Sequence, residues 1–361
     1  MLPPPVTYSP GLEKRQDNEA ETDASLEKSF DHILQTTAKD YGRPVRAVHA
    51  KAHALIEGTF TVDAHLPPEL AQGLFAMPGE YRASLRVSTN PGDILDDNVV
   101  LPRGLGLKIE GVSGDWLEEA EGDAQDFLFV NVPVFAAPSA DKFAGKLKLL
   151  AATTDRAPGA KVALSTVLGF INSALGKVGL ESGALAAMGG APQVHPLGET
   201  YYSTTPFRYG NHVAKFRLRP LSPSLTALTG EVIDTSGRPD GLRETLRQDI
   251  AGLTGEWAFE VQLLRDLEKQ PIEDASVEWK EDEAPFVQVA TVRVEPQDSW
   301  SPEKVQRIDE TLHFSPWNGL EAHRPLGGIN RARRRAYHQS SSFRVAMQQG
   351  CPVAHANEPT A

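Results

Sequence analysis

Arg82–Val112 reads RASLRVSTNPGDILDDNVVLPRGLGLKIEGV. RASLRVST (Arg82–Thr89) and GLGLKIEGV (Gly104–Val112) alternate apolar and polar residues, the period of a strand with unlike faces. On such a strand Arg86 and Ser88 share a face. Asn-Pro-Gly-Asp and Pro-Arg-Gly are turn signals between the two strands. Working outward, ALIEGTFTVD (Ala54–Asp63) precedes the pair, and the nearly continuous apolar DFLFVNVPVF (Asp126–Phe135) follows it. Three further strands are NHVAKFRLRPL (Asn211–Leu221), WAFEVQLL (Trp257–Leu264) and FVQVATVRVEP (Phe286–Pro296). Helical spacing marks Ser25–Lys39, with Leu26, Phe30, Ile33 and Leu34 on one side and Ser25 as N-cap. A helical middle runs over roughly 140–187, and a last helix lies within Pro325–Gln348, starting after Gly327-Gly328. Consecutive strands with segregated helices predict an α+β fold, an antiparallel sheet or barrel with helices added. The chain shows no internal repeat and no clear linker. It reads as a flexible tail over residues 1–24, Pro-rich and then acidic, and a single domain over 25–361.

Composition narrows the function classes. The 361 residues carry 36 basic and 48 acidic side chains, a net charge of −12, and the pI is near 5.4. An extended basic face for nucleic acid or anionic membrane does not fit that balance. The one cysteine, Cys351, excludes an intrachain disulfide and a Cys-based metal cluster, and a cytoplasmic, reducing compartment is expected. No apolar leader segment is visible at the N-terminus. The most apolar run, Val162–Gly176, is too short and too polar to span a bilayer, so no stable membrane insertion is expected.

Three places could carry chemistry. In NRARRRAY (Asn330–Tyr337), Arg333 and Tyr337 stand one helical turn apart, so a guanidinium can lie against a phenol. A positive charge there favours a phenolate, a hard anionic ligand suited to ferric iron. The same residues also suit a solvated basic helix face with a tyrosine dipped into the core. His49 lies among apolar neighbours ahead of a strand, three residues after Arg46, and reads equally as a core histidine. Asp93, Asp96 and Asp97 do not have the spacing of a calcium loop and read as a surface loop.

In combination these signals resemble a known family. VRAVHAK, LRVSTNPGD, LPRGLGLKI, DFLFVNVPVF, YGNHVAKF, WAFEVQLL and RRRAY occur in the same order as in the haem catalases. HRPLGGINRARRRAY (His323–Tyr337) is similar to the small, single-domain catalase-related peroxidases. The resemblance covers about Ser29 to Arg344. It implies an antiparallel β-barrel with surrounding helices, and haem b held between the barrel and the C-terminal helix. Tyr337 would be the proximal iron ligand, as is known for catalases, with Arg333 keeping it anionic. His49 would be the distal acid–base group, Ser88 its hydrogen-bonding partner, and Asn131 the distal amide, one residue out of register counted back from Pro133. Phe143 would pack on the distal face. Arg46, Arg86 and Arg344 would bind the propionates, and His212 would contact Arg333 behind the haem.

The activity implied is a peroxidase reducing hydrogen peroxide or organic hydroperoxides. Weak catalase activity is expected, because only 24 residues follow Tyr337 and a wrapping segment is missing. Ala52 also stands where the family has glycine. Its partners would be a peroxide and a small organic reductant, with no nucleic acid, and a homodimer is the assembly kept open. The alternatives are a fatty-acid hydroperoxide-transforming enzyme of the allene oxide synthase kind, against which Val48 stands, and a non-catalytic haem binder, against which His49 and Ser88 stand.

Overall fold

The structure is a computed structural model describing residues 2–154 and 193–350. Val162–Gly176, the rest of the expected helical middle, and Cys351 lie outside the described residues. Nine strands form one antiparallel sheet: β1 Ala52–Val62, β2 Gly79–Thr89, β3 Arg103–Glu110, β4 Ala124–Val130, β5 Tyr201–Tyr202, β6 Phe207–Tyr209, β7 His212–Pro220, β8 Gly255–Leu263 and β9 Phe286–Val294. Their order is β5-β4-β3-β2-β1-β9-β8-β7-β6, and β5 pairs again with β7. That second pairing closes a barrel of eight strands, with β6 laid beside β7.

Alternation within each strand sorts side chains between the two sides of the barrel wall. Leu85 and Val87 of β2, Leu107 and Ile109 of β3, and Phe127 of β4 belong to the main buried core. Its centre is aromatic: Phe60, Phe75, Phe127, Phe216 and Phe259 meet at ring separations of 4.9–6.1 Å. Arg86, Ser88, Gly104 and Gly106 alternate with these residues and meet a cavity on the opposite side. The shared face expected for Arg86 and Ser88 is observed.

A helical layer covers that cavity. Helix α1 (Glu19–Tyr41) buries Leu26, Phe30, Ile33 and Leu34. They pack in one cluster with Ala140, Ala144 and Leu147 of α2 (Ala140–Thr154) and with Ile329, Ala332 and Phe343 of the last helix. Helix α1 starts six residues before the expected cap. Ser25 is therefore interior, where its carbonyl accepts from Ser29 Oγ at 2.9 Å. Glu19 and Glu21 in the first turn, read from composition as tail, complement the helix N-terminus instead. The sequence reading also missed α3 (Gly241–Ile250), although Leu242, Leu246 and Ile250 recur every fourth residue and are all buried. Helix α4 (Gly328–Gln348) begins at the Gly327-Gly328 pair as expected.

Three arginines left without a role by the sequence tie this layer together. Arg331 bonds Glu13 at 2.5 Å, Glu19 at 2.5 Å and Glu273 at 3.0 Å, fastening the N-terminal segment to α4. Upstream, Val6 and Tyr8 donate backbone N–H groups to Leu264 and Asn211. Arg334 pairs with Glu119, and Arg335 with Glu27 at 3.3 Å. Asp97, expected on a surface loop, is buried. It pairs with Lys51 at 2.8 Å and accepts from the Leu242 N–H at the start of α3. No described helix is long and apolar enough to cross a membrane.

Candidate active site

The cavity between barrel and helices gathers Arg46, His49, Arg86, Ser88, Phe143, Arg333, Tyr337 and Arg344, eight of the ten residues singled out from the sequence. They come from the His49 turn, β2, α2 and α4, and Leu26 and Phe30 of α1 join a lining in which apolar side chains predominate.

His49 adopts φ +54°, a left-handed conformation that is costly for a residue with a Cβ. Its N–H donates to the Asn90 carbonyl at 2.7 Å and the next N–H donates to Pro91 at 2.9 Å, which fixes the turn. Nδ1 lies 3.2 Å from Ser88 Oγ, which also reaches the Gly104 carbonyl at 3.4 Å. With the hydroxyl hydrogen directed to that carbonyl, Ser88 accepts from Nδ1–H and leaves Nε2 as a bare acceptor. Burial, and then the charges of Arg86, Arg333 and Arg46, push the imidazole down to about 3. His49 is therefore neutral at physiological pH. The ring lies on Gly104, where a Cβ would come 2.3 Å from it. The sequence reading missed this requirement.

Facing this wall, α4 presents Arg333 and Tyr337 one turn apart. Arg333 donates to Thr205 Oγ1 at 3.3 Å and Asn330 Oδ1 at 3.2 Å, and its guanidinium lies 5.4 Å from the Phe135 ring centre. Burial lowers its pKa and the Tyr337 hydroxyl opposes that shift. At the cavity's edge Arg46 donates to the Ile308 and Leu312 carbonyls, Arg86 to the His49 carbonyl, and Arg344 to the Asp309 and Leu312 carbonyls. Among the described residues none of these three pairs with a carboxylate, and Nε of Arg86 and of Arg344 is buried without a partner. Burial lowers all three, repulsion from neighbouring arginines adds to the shift of Arg46 and Arg86, and Arg86 falls to about 9, while the Asp309 charge opposes each shift. A cationic cluster without carboxylate hydrogen-bond partners beside a largely apolar cavity is suited to an anion with an apolar body. No group of three His, Cys, Asp or Glu able to hold a metal occurs among the described residues.

Two expected residues are not in the cavity. Asn131 is turned away: Nδ2 donates to Glu199 at 2.8 Å, and Oδ1 accepts from the Arg103 N–H at 2.9 Å. Arg103 itself pairs with Glu199, so Asn131 belongs to a polar network behind the wall, and Val130 and Val132 line the cavity instead. His212 opens β7, where it pairs with Tyr209 and Thr7. Arg333 finds its polar partners in Thr205 and Asn330. Thr204, also on the lining, takes φ +59° with its hydroxyl buried and unpartnered, a strain that composition does not signal. On the outer side of α4 a second cavity adjoins the first at His313, Phe314 and Tyr337.

No protein-family model matches the chain, and no curated protein matches it. Among solved structures, a fungal catalase superposes with a TM-score of 0.60 at 20% identity, over 88% of this chain and 62% of that one. Catalase A from Saccharomyces cerevisiae superposes with a TM-score of 0.60 at 17% identity, over 95% of this chain and 68% of that one. The chain thus spans under two thirds of the fungal catalase's length. A closed eight-stranded antiparallel barrel with a helical layer over one wall is the catalase-like fold, and this chain has it.

Proposed function

We propose that this protein is a haem-dependent peroxidase that reduces hydrogen peroxide or organic hydroperoxides and dismutates hydrogen peroxide only weakly. One observation carries the reading: Arg333 and Tyr337 line the same cavity as the His49–Ser88 pair, and three arginines without carboxylate partners stand at its edge. The residues fit haem b. The apolar slot suits the macrocycle, Arg46, Arg86 and Arg344 would take its two carboxylates, and Tyr337 would hold the iron. Arg333, one turn before, supplies the compensating charge for an anionic ligand.

Haem, when bound, supplies the redox chemistry that opens the O–O bond. His49 accepts the peroxide proton at Nε2 and returns it to the departing oxygen. Ser88 holds the ring in that tautomer while the cavity wall excludes bulk water. Two electrons from a small organic reductant complete the reduction of ROOH and two protons to ROH and water, and the second cavity at Tyr337 offers such a donor an approach. Weak dismutation is consistent with a wall that carries Val48, Val130 and Val132 around His49.

An absorption spectrum of purified protein, followed by titration with hydrogen peroxide and then cumene hydroperoxide, tests the reading. Tyr337→Phe should abolish haem retention or shift the spectrum; an unchanged spectrum removes Tyr337 as ligand. A dismutation rate far above every donor-oxidation rate would reject the peroxidase reading. An allene oxide formed from a fatty-acid hydroperoxide would replace it.

A further inference from the structure

A peroxide carries two oxygens, and an apolar cavity penalises any hydrogen-bonding group that loses its water and finds no partner. His49 Nε2 can serve one oxygen only. The wall around it is largely apolar, with Val48, Val130, Val132 and Phe143 on the lining. Asn131, the amide expected to serve the other, has both ends of its side chain engaged by Glu199 and Arg103.

Asn90 is placed differently. It lies in the bend directly after β2, two residues beyond Ser88. It lines the cavity. Its carbonyl accepts from the His49 N–H at 2.7 Å and its own N–H donates to Pro102 at 3.0 Å, which anchors its backbone against the catalytic turn. Its carboxamide makes no hydrogen bond to any described residue. An anchored residue whose amide has unused donors and an unused acceptor, in the same cavity as a bare imidazole nitrogen, is suited to meet a polar ligand.

We propose that Asn90 supplies the carboxamide that hydrogen-bonds the peroxide beside His49, and that Asn131 is a structural residue of the wall. This assignment rests on the peroxide reading above. It makes Asn90 a substrate-positioning residue: its amide meets one peroxide oxygen while His49 holds the proton at the other. For an alkyl hydroperoxide the amide would meet the O–O group and the valines the alkyl end.

The test compares the haem-loaded wild type with Asn90→Val and Asn131→Ala. Three quantities are measured: kcat/KM for hydrogen peroxide and cumene hydroperoxide, cyanide affinity by spectral titration, and Tm. Asn90→Val should lower kcat/KM for hydrogen peroxide roughly 10- to 100-fold and weaken cyanide binding, with the resting spectrum and Tm unchanged. Asn131→Ala should lower Tm and leave kcat/KM within about threefold. The assignment falls if Asn90→Val matches the wild type in both kcat/KM and cyanide affinity, or if Asn131→Ala alone reproduces the loss without a change in Tm. If the wild type binds haem but reduces no peroxide, the peroxidase reading fails, and the cyanide titration still decides whether Asn90 faces the ligand. A chain that takes up no haem overturns both.

Discussion

His49 shows how strongly one side chain depends on its surroundings. Its ring is held near neutrality by burial and three arginines, with its pKa pushed down to about 3. A base already neutral at pH 5 gains nothing from further deprotonation. In the haem-loaded protein, kcat/KM for peroxide should therefore be flat from pH 5 to 8, and a break near the ordinary histidine value would reject the neutral ring. Gly104 is the second control on this residue. A methyl group there would meet the ring at 2.3 Å. Gly104→Ala should displace the imidazole and lower the peroxide rate by roughly one to two decades. Near-UV circular dichroism would check that the fold persists. Arg333 and Tyr337 were legible as neighbours from helical spacing, and Ser88 as a partner of Arg86 from strand alternation. Roles for His49 and Ser88 came only from the resemblance of their stretches to the haem catalases. The glycine was not legible, because what requires it is a ring 55 positions earlier in the chain.

The helical layer is fastened to the barrel by charge as well as by apolar packing. Arg331 is mostly buried and faces three carboxylates from the N-terminal segment, α1 and the loop before β9. Removing the cation leaves those carboxylates to repel one another. Arg331→Met should cost about 2 kcal/mol or more, visible as a lower denaturant midpoint and faster proteolysis within residues 2–18. An unchanged midpoint would show that the cluster contributes nothing. Phe30, at 5% exposure, lies both in the α1–α2–α4 cluster and on the cavity lining. Phe30→Ala should cost about 3–5 kcal/mol, measured by the same unfolding curve. The stripe Leu26, Phe30, Ile33 and Leu34 was readable from periodicity alone. The start of α1 was not, because charged residues in a first turn look like a solvated tail until a partner such as Arg331 is seen.

Across the molecule, the buried His53 and His323 and the half-buried His49 link stability to pH. Burial lowers His49 and His323 to about 3 and His53 well below its ordinary value. The unfolded chain takes up these protons as pH falls through about 6.5, while the folded chain leaves the rings neutral. The unfolded state then binds more protons, so stability is full above that pH and declines below it. The slope is up to about 1.4 kcal/mol per pH unit for each histidine. Tm should fall between pH 7 and pH 5, and a constant Tm would contradict the burial of these rings as neutral groups.

The strands around RASLRVST, the apolar stripe of α1, and the spacing of Arg333 and Tyr337 follow from the sequence alone, because each is a short-range periodicity that the backbone geometry converts directly into a face. β5 and β6 are too short to show any period, yet β5 closes the barrel. Which asparagine meets the cavity was likewise decided in three dimensions. Asn131 is drawn aside by Glu199, 68 positions away, and by Arg103, 28 positions away. Such partners meet only once the barrel closes, because β4 must pair with β5 before Glu199 can reach the wall.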